Sequence, residues 1–418
     1  MKKLLLALTS LLYLSSFSQQ SKVDSLNIEI TKETNSLKKI ILFKELATEL
    51  FYIDTEYYLK ISDSILTLAT KINDEYYVGV GNLAKGRYYF RTGNNIKTKT
   101  YYLKALTIFK KLNKPKDEAN IYGNLGAMYS KSGDVDSSRV YLNKALKSNI
   151  SLKNYKGQFL NYYNLGVLEG KHDNSEKSTK NITKALALAE KINNKRYVAY
   201  CNSMLGVLYM EQLMHEKSKK YLNDAVNTLN EINDYSGVGN QYVNLGKLYN
   251  ENKNDYKTAI SYYKKSITAF NKVSDSSGIS IALANIGRNY IQLNTLDSAQ
   301  HYLNKALKIN KKINEDSEVG KLLTNLGEIA YLSHNYKLAK NYLNKAVSIT
   351  SESDYIEDYS DALSLLSDVN AAQGNFKQAY KNHLESKILI DSIVSVEKLE
   401  KIAEIETKYQ TEKKKKII

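Results

Sequence analysis

Asn124-Leu125-Gly126-Ala127-Met128-Tyr129 and, beyond a turn signal at Ser132-Gly133-Asp134, Ser138-Arg139-Val140-Tyr141-Leu142-Asn143-Lys144-Ala145 are the stretch on which the fold turns. In each half the small and apolar residues recur every three or four positions, the spacing of one helix face. The pattern then repeats. A small residue in one predicted helix is followed nineteen or twenty positions later by another at Gly86/Ala105, Gly126/Ala145, Gly166/Ala185, Gly206/Ala225, Gly246/Ser266, Gly287/Ala306 and Gly327/Ala346. Successive glycines lie 40, 40, 40, 40, 41 and 40 residues apart, and Ser367/Ser386 continues the series. A fixed period in this range predicts a solenoid whose helix pairs bury their apolar faces only against their neighbours. Such stacks form long grooves and rarely active sites.

Counting from the glycine, an aliphatic residue precedes it (Leu125, Leu165, Leu205, Leu245, Ile286, Leu326) and an aromatic follows three later (Tyr89, Tyr129, Tyr209, Tyr249, Tyr290). In the second helix come a small residue at twelve (Ser138, Ser178, Ser218), an aromatic at fifteen (Tyr101, Tyr141, Tyr221) and an aliphatic at sixteen (Leu142, Ile182, Leu222). Small residues are expected to oppose each other and let the two backbones approach. The 418 residues hold 43% hydrophobic residues, one proline and 19 glycines, a composition that leaves little room for β-turns and fits an all-helical chain.

These offsets resemble the tetratricopeptide repeat, whose consensus carries Leu-Gly, then Tyr, then Ala, a large apolar residue and Ala. The resemblance covers 76–390 in eight units, with a divergent unit at 37–75. It implies an all-α fold, a right-handed α-solenoid of tetratricopeptide-type helix pairs. Two departures, the period of forty and the absence of the consensus proline (Pro115 is the only one, assigned to an inter-repeat loop), point to the longer-helix variety found in peptide-binding and signalling proteins. The third full unit departs further, with Glu169 and Asn181 in place of its two aromatics.

The resemblance places the first helices on a concave wall. There Asn124, Asn164, Asn244, Asn285 and Asn325 recur two positions before the glycine. An asparagine amide offers a donor and an acceptor side by side, so a ladder of them pairs with the backbone of an extended peptide. Arg87, Lys131 and Arg288, with Arg91, Lys171 and Lys247, make the wall partly basic and favour an acidic ligand, diluted by Glu211, Glu251 and Glu328. The expected partner is therefore a protein or peptide. Lys104, Lys144, Lys184, Lys265, Lys305 and Lys345 form a second column on the outer face. Despite a net charge of +16, that column reads as a solvated surface without interleaved aromatics, and no nucleic-acid partner is expected.

Enzyme chemistry finds no motif. The five histidines are scattered among repeats without ligand spacing, and the glycines lie inside helices, so no catalytic residue, metal or cofactor is expected. Lys2 and Lys3, the apolar run Leu4 to Leu14 and Ser16-Phe17-Ser18 read as a signal peptide over 1–18, cleaved before Gln19, with a lead-in at 19–36. The mature chain is expected in the periplasm or outside the cell, with no membrane span. Cys201, the single cysteine, is expected to be a buried inert thiol. At the C-terminus, 391–418 carries Val396, Leu399, Ile402, Ile405 and Tyr409 at helical spacing before Lys413 to Lys416, a helix suited to capping or to pairing two copies. That segment resembles the juxtamembrane helix of bacterial sensors with an exported tetratricopeptide domain. The alternative to a scaffold is thus the sensory half of a histidine kinase or helix-turn-helix regulator.

Overall fold

A computed structural model describes residues 21–51, 53–172, 174–313, 316–351 and 356–392. The expected signal peptide and nearly all of the C-terminal helix lie outside them. The described residues form nineteen helices and no strand, an all-α solenoid. They fall into two compact units, 1–228 and 229–418. The first holds α1 (21–32), α2 (Ser36–Leu50), α3 (Thr55–Lys71), α4 (Glu75–Arg91), α5 (Asn95–Lys111), α6 (Pro115–Lys131), α7 (Val135–Ser151), α8 (Tyr155–Gly170), α9 (Ser175–Lys191), α10 (Lys195–Glu211) and most of α11 (His215–Glu231). The second holds α12 (Tyr235–Lys253), α13 (Tyr256–Asn271), α14 (Ser276–Gln292), α15 (Leu296–Ile313), α16 (Asp316–Leu332), α17 (Tyr336–Thr350), α18 (Ile356–Ala372) and α19 (376–392). Among the described residues no helix is long and apolar enough to cross a membrane. Pro115 opens α6 instead of lying in a loop, a position where its missing N–H has no helical partner to lose.

Turns break the helices about every twenty residues. Asn73, Gly93, Asn113, Gly133, Lys153, Asn193, Leu213, Asn233, Asn254, Ser274, Asn294, His334 and Gly374 all have φ between 48° and 80°. At such a residue the chain leaves the helix left-handed, and the amides beyond it satisfy the last carbonyls, as when Asp74 N–H donates to Ala69 at 2.9 Å. The next residue is commonly Asp or Asn and caps the following helix: Asp74 accepts from Tyr77 N–H, Asn94 from Lys97, Asp134 from Ser137 and Asp234 from Gly237.

Inside each hairpin the glycine faces a large side chain, not a small one. A Cβ on Gly126 would stand 2.6 Å from Leu142, on Gly166 2.5 Å from Ile182, on Gly206 2.6 Å from Leu222, and on Gly287 2.6 Å from Leu303. Tyr102 and Tyr263 fill the same place opposite Gly86 and Gly246. The glycine is therefore a hole for a knob on the second helix, which corrects the expectation of opposed small residues. Beside it Ser138, Ser178 and Ser218 donate to the carbonyls of Gly126, Gly166 and Gly206 at 2.8, 2.7 and 2.8 Å, tying the two helices together. In the α18–α19 hairpin the roles exchange, and Ser367, standing at the glycine position, donates to the carbonyl of Ala379 at 2.8 Å.

The two tyrosine columns meet as stacked pairs. Tyr89–Tyr101, Tyr129–Tyr141, Tyr209–Tyr221, Tyr249–Tyr262 and Tyr290–Tyr302 have ring centroids 5.4, 5.5, 5.4, 5.3 and 5.5 Å apart. Exposed lysines cover several of these rings: Lys104 lies over Tyr101, Lys144 over Tyr141 and Lys265 over Tyr262 at 5.4, 5.3 and 4.8 Å. Aromatics are thus interleaved with the lysine column, contrary to the sequence reading, and each ring engages its lysine by cation–π attraction. Where Glu169 replaces the tyrosine, its carboxylate is buried and accepts from Arg139 Nε at 2.8 Å. Cys201 is fully buried in α10, and burial pushes its thiol up to about 12, so it stays protonated and unreactive.

Two outcomes follow for stability. Leu213 and His334 hold left-handed positions that most turns give to Gly or Asn, so Leu213→Gly and His334→Gly should each raise stability by about 0.5–1 kcal/mol in denaturant melts. Gly246→Leu should instead lower it by about 1–3 kcal/mol, because a Cβ there would already stand 2.5 Å from the Tyr263 ring. An unchanged midpoint for Gly246→Leu, beside a lowered one for Leu245→Ala, would contradict the knob-and-hole packing.

Candidate binding groove of the second unit

Helices α12, α14, α16 and α18 are the first helices of successive hairpins, so residues forty or forty-one apart occupy the same register on each. Two cavities open along them. The first, about 480 Å³, is lined by Lys247, Asn250 and Glu251 of α12, Tyr263 of α13, Asn285, Arg288 and Asn289 of α14, and Glu328 of α16. The second, about 440 Å³, shares Lys247, Asn285 and Arg288 and continues to Asn325, Glu318 and Lys321 of α16 and to Glu357, Asp358 and Asp361 of α18.

Three of the sequence-predicted site residues, Asn285, Asn325 and Arg288, come together here. Asn285 is buried, and its Oδ1 accepts from the Arg288 guanidinium three residues on. Asn325 is half-buried in the second cavity. Asn244 is half-buried on α12 and makes a long bond of 3.4 Å to Gln241 Oε1.

The first unit gives its candidates other surroundings. Asn124 and Asn164 are half-buried on α6 and α8, and the Asn124 Nδ2 is buried without a hydrogen-bond partner. The Arg87 guanidinium acts on the Tyr58 and Tyr102 phenols, both held above the usual tyrosine range by burial. Lys131 lies over the Phe90 ring at 5.4 Å.

Sequence reasoning missed the acidic end of the groove. Burial raises the Asp358 carboxyl, a shift that Lys321 opposes from 3.5 Å, and burial with the neighbouring Asp358 and Glu357 charges raises Asp361. Burial also holds Glu328 above the usual carboxylate range. With Asp358 and Asp361 added to Glu328, which the sequence already set against the basic residues, the wall is mixed and not partly basic. The signal was faint because the acids do not repeat in step: Asp358 and Asp361 stand where the α14 repeat has Gly278 and Ile281, and Glu328 where it has Arg288. Among the described residues no group of His, Cys, Asp and Glu is arranged to hold a metal.

Helix hairpins stacked in one register, with a polar groove along their first helices, define a helical-repeat binding scaffold. Tetratricopeptide repeat family models match residues 80–149, 239–312 and 320–353, and the chain carries tetratricopeptide repeats. No curated protein is significantly similar to it in sequence. Among solved structures it resembles a Rap protein complexed with Competence and Sporulation Factor, at 13% identity and a TM-score of 0.53, over 86% of this chain and 99% of that one. The apo form of the quorum sensor NprR from B. thuringiensis matches at 16% identity and a TM-score of 0.55, over 83% and 97% of the two chains. A Signal Transduction ATPase with Numerous Domains from Pyrococcus horikoshii, with a tetratricopeptide repeat sensor, matches at 15% and 0.51 over 92% of this chain and 54% of its own. At these identities the likeness is one of fold.

The raised Glu328 carboxyl gives a signed expectation. Its folded pKa lies above its unfolded one, so the folded state binds the proton more tightly and stability falls as pH rises between the two values. Glu328→Gln should therefore raise the melting temperature at pH 7, and the gain should vanish near about pH 3.5, where both forms are neutral. A gain that persists in acid would assign the effect to something other than this charge.

Proposed function

We propose that the protein is an exported scaffold that binds an extended peptide or protein segment in the groove of its second unit. The observation that carries this reading is the pair of contiguous cavities sharing Lys247, Asn285 and Arg288, with Asn325 one repeat further on in the same register. An extended chain rises about 3.3 Å per residue, so a short peptide laid along several repeats meets successive amides with its backbone. Its side chains then fall into the polar hollows between them. Export rests on the basic start, apolar run and Ser-x-Ser site of residues 1–18. The mixed wall favours a ligand with both charge signs over a purely acidic one.

A second reading makes the same groove the sensory half of a signalling protein, with ligand binding passed to another component. Its support is the fold shared with NprR, a quorum sensor, and with the sensor-bearing ATPase, together with the amphipathic pattern after residue 390. Both readings require the groove to bind.

Peptides selected from a random display library on the full chain supply the test. Changing Asn244, Asn285 and Asn325 together to alanine should weaken a selected peptide by one to three orders of magnitude, at about 0.5–1.5 kcal/mol for each lost hydrogen bond. Helical circular dichroism should be retained. Changing Lys265, Lys305 and Lys345 should alter affinity less than about twofold. Undiminished binding by the asparagine variant, with loss in the lysine variant, would move the binding surface to the opposite face.

A further inference from the structure

The first cavity holds a polar group for which a backbone ladder has no use. Asn289 of α14 is 2% exposed, and its Nδ2 donates to the Asn285 carbonyl at 2.7 Å, which fixes the amide's orientation. Its Oδ1 is buried and meets no donor. Across the cavity Asn250 of α12 has its Nδ2 3.3 Å from the Tyr263 hydroxyl and its Oδ1 also buried without a partner. Because a phenol both donates and accepts, Asn250 is able to turn either end of its amide inward. Around these groups stand two cations, Lys247 and Arg288, and two carboxylates, Glu251 and Glu328.

We propose that this cavity is a specificity pocket for a primary carboxamide, the side chain of a glutamine or asparagine in the bound peptide. The inference rests on the peptide-groove reading. A carboxamide brings N–H donors for Asn289 Oδ1 and an oxygen acceptor for Arg288 or Lys247, and Asn250 turns to meet whichever end remains. It adds no charge to a wall whose formal charges already balance. A carboxylate would suit the cations but turn an oxygen toward the fixed Asn289 Oδ1 and carry no donor. An ammonium or guanidinium would meet that oxygen at the cost of facing Lys247 and Arg288. An aliphatic side chain would leave every one of these groups unmet. Asn285 lines both cavities, so a peptide held there by its backbone has a neighbouring side chain at the mouth of the pocket.

The test uses the full chain and two kinds of probe. One is a set of capped alanine-based heptapeptides with Gln, Glu, Lys or Leu at the centre, titrated by calorimetry. The other is N-acetyl-glutamine methylamide, with its glutamate and lysine analogues, followed by ligand-observed NMR. The glutamine heptapeptide should bind at least about tenfold tighter than the other three. In Asn289→Leu and Asn250→Leu that preference should fall to within about twofold while the leucine peptide binds as before. If Asn289→Leu loses its helical circular dichroism, Asn250→Leu, at a half-buried position, makes the comparison alone. Equal affinities for all four peptides, or a preference for Glu or Lys, would overturn the pocket and leave the groove standing. Saturable binding of the glutamine amide without heptapeptide binding would uphold the pocket and overturn the groove. Binding of neither probe would overturn both.

Discussion

In seven hairpins, from α4–α5 to α16–α17, a leucine, isoleucine or tyrosine of the second helix occupies the space a Cβ would need on the first. Gly126 with Leu142, Gly206 with Leu222 and Gly246 with Tyr263 show the arrangement with side chains of different shape. This one close approach sets the distance between the paired helices. Once it is set, serine hydroxyls reach across to the glycine carbonyls and the tyrosine rings meet at stacking distance. A leucine-sized residue at one of these glycines would push the helices apart and strain the hydroxyl bridge and the ring stack with it.

The same constraint positions the groove. Fixed hairpins of equal length put residues of equal register in line, so Asn285 and Asn325 belong to one row because their glycines, Gly287 and Gly327, are forty apart. Polar residues along that row are partly desolvated by the packed helices beneath. Burial therefore raises Glu328, Asp358 and Asp361 and leaves Asn289 Oδ1 without a donor.

What repeats was legible in the sequence, and what occurs once was not. The period and the helix pairs could be read because seven copies reinforce the signal, and the row of asparagines because it recurs in five of them. The left-handed turn positions were harder to see, since Asn, Gly, Lys, Leu, Ser and His all occupy them and only the glycines announce themselves. Gly239 and Gly278, which flank the Phe270 ring from α12 and α14, form a second set of holes outside the main glycine column. Most carboxylates of α16 and α18 have no counterpart in the other repeats, Asp117 at the register of Glu318 and Asp358 being the exception, and their convergence depends on how neighbouring hairpins stack. The lysines over tyrosine rings were within reach of the sequence, being three residues apart on one helix, but were read as solvated charge.

Glu169 narrows which hairpin can stand before its own. Most hairpins present their neighbours with apolar faces of one pattern, so one copy is a fair substitute for another. The α8 hairpin is different, because its buried carboxylate is met by Arg139 from the hairpin before it. Duplication or recombination that gave it a predecessor without a cation at the Arg139 register, such as the α14–α15 hairpin with Gln300 there, would leave that carboxylate buried and unmet. The α4–α5, α10–α11 and α16–α17 hairpins carry Lys99, Lys219 and Lys340 at the same register. Lys340 reaches Asn370 of the next hairpin in the same way, so the pair restricts which hairpins can precede α8 without fixing a single one.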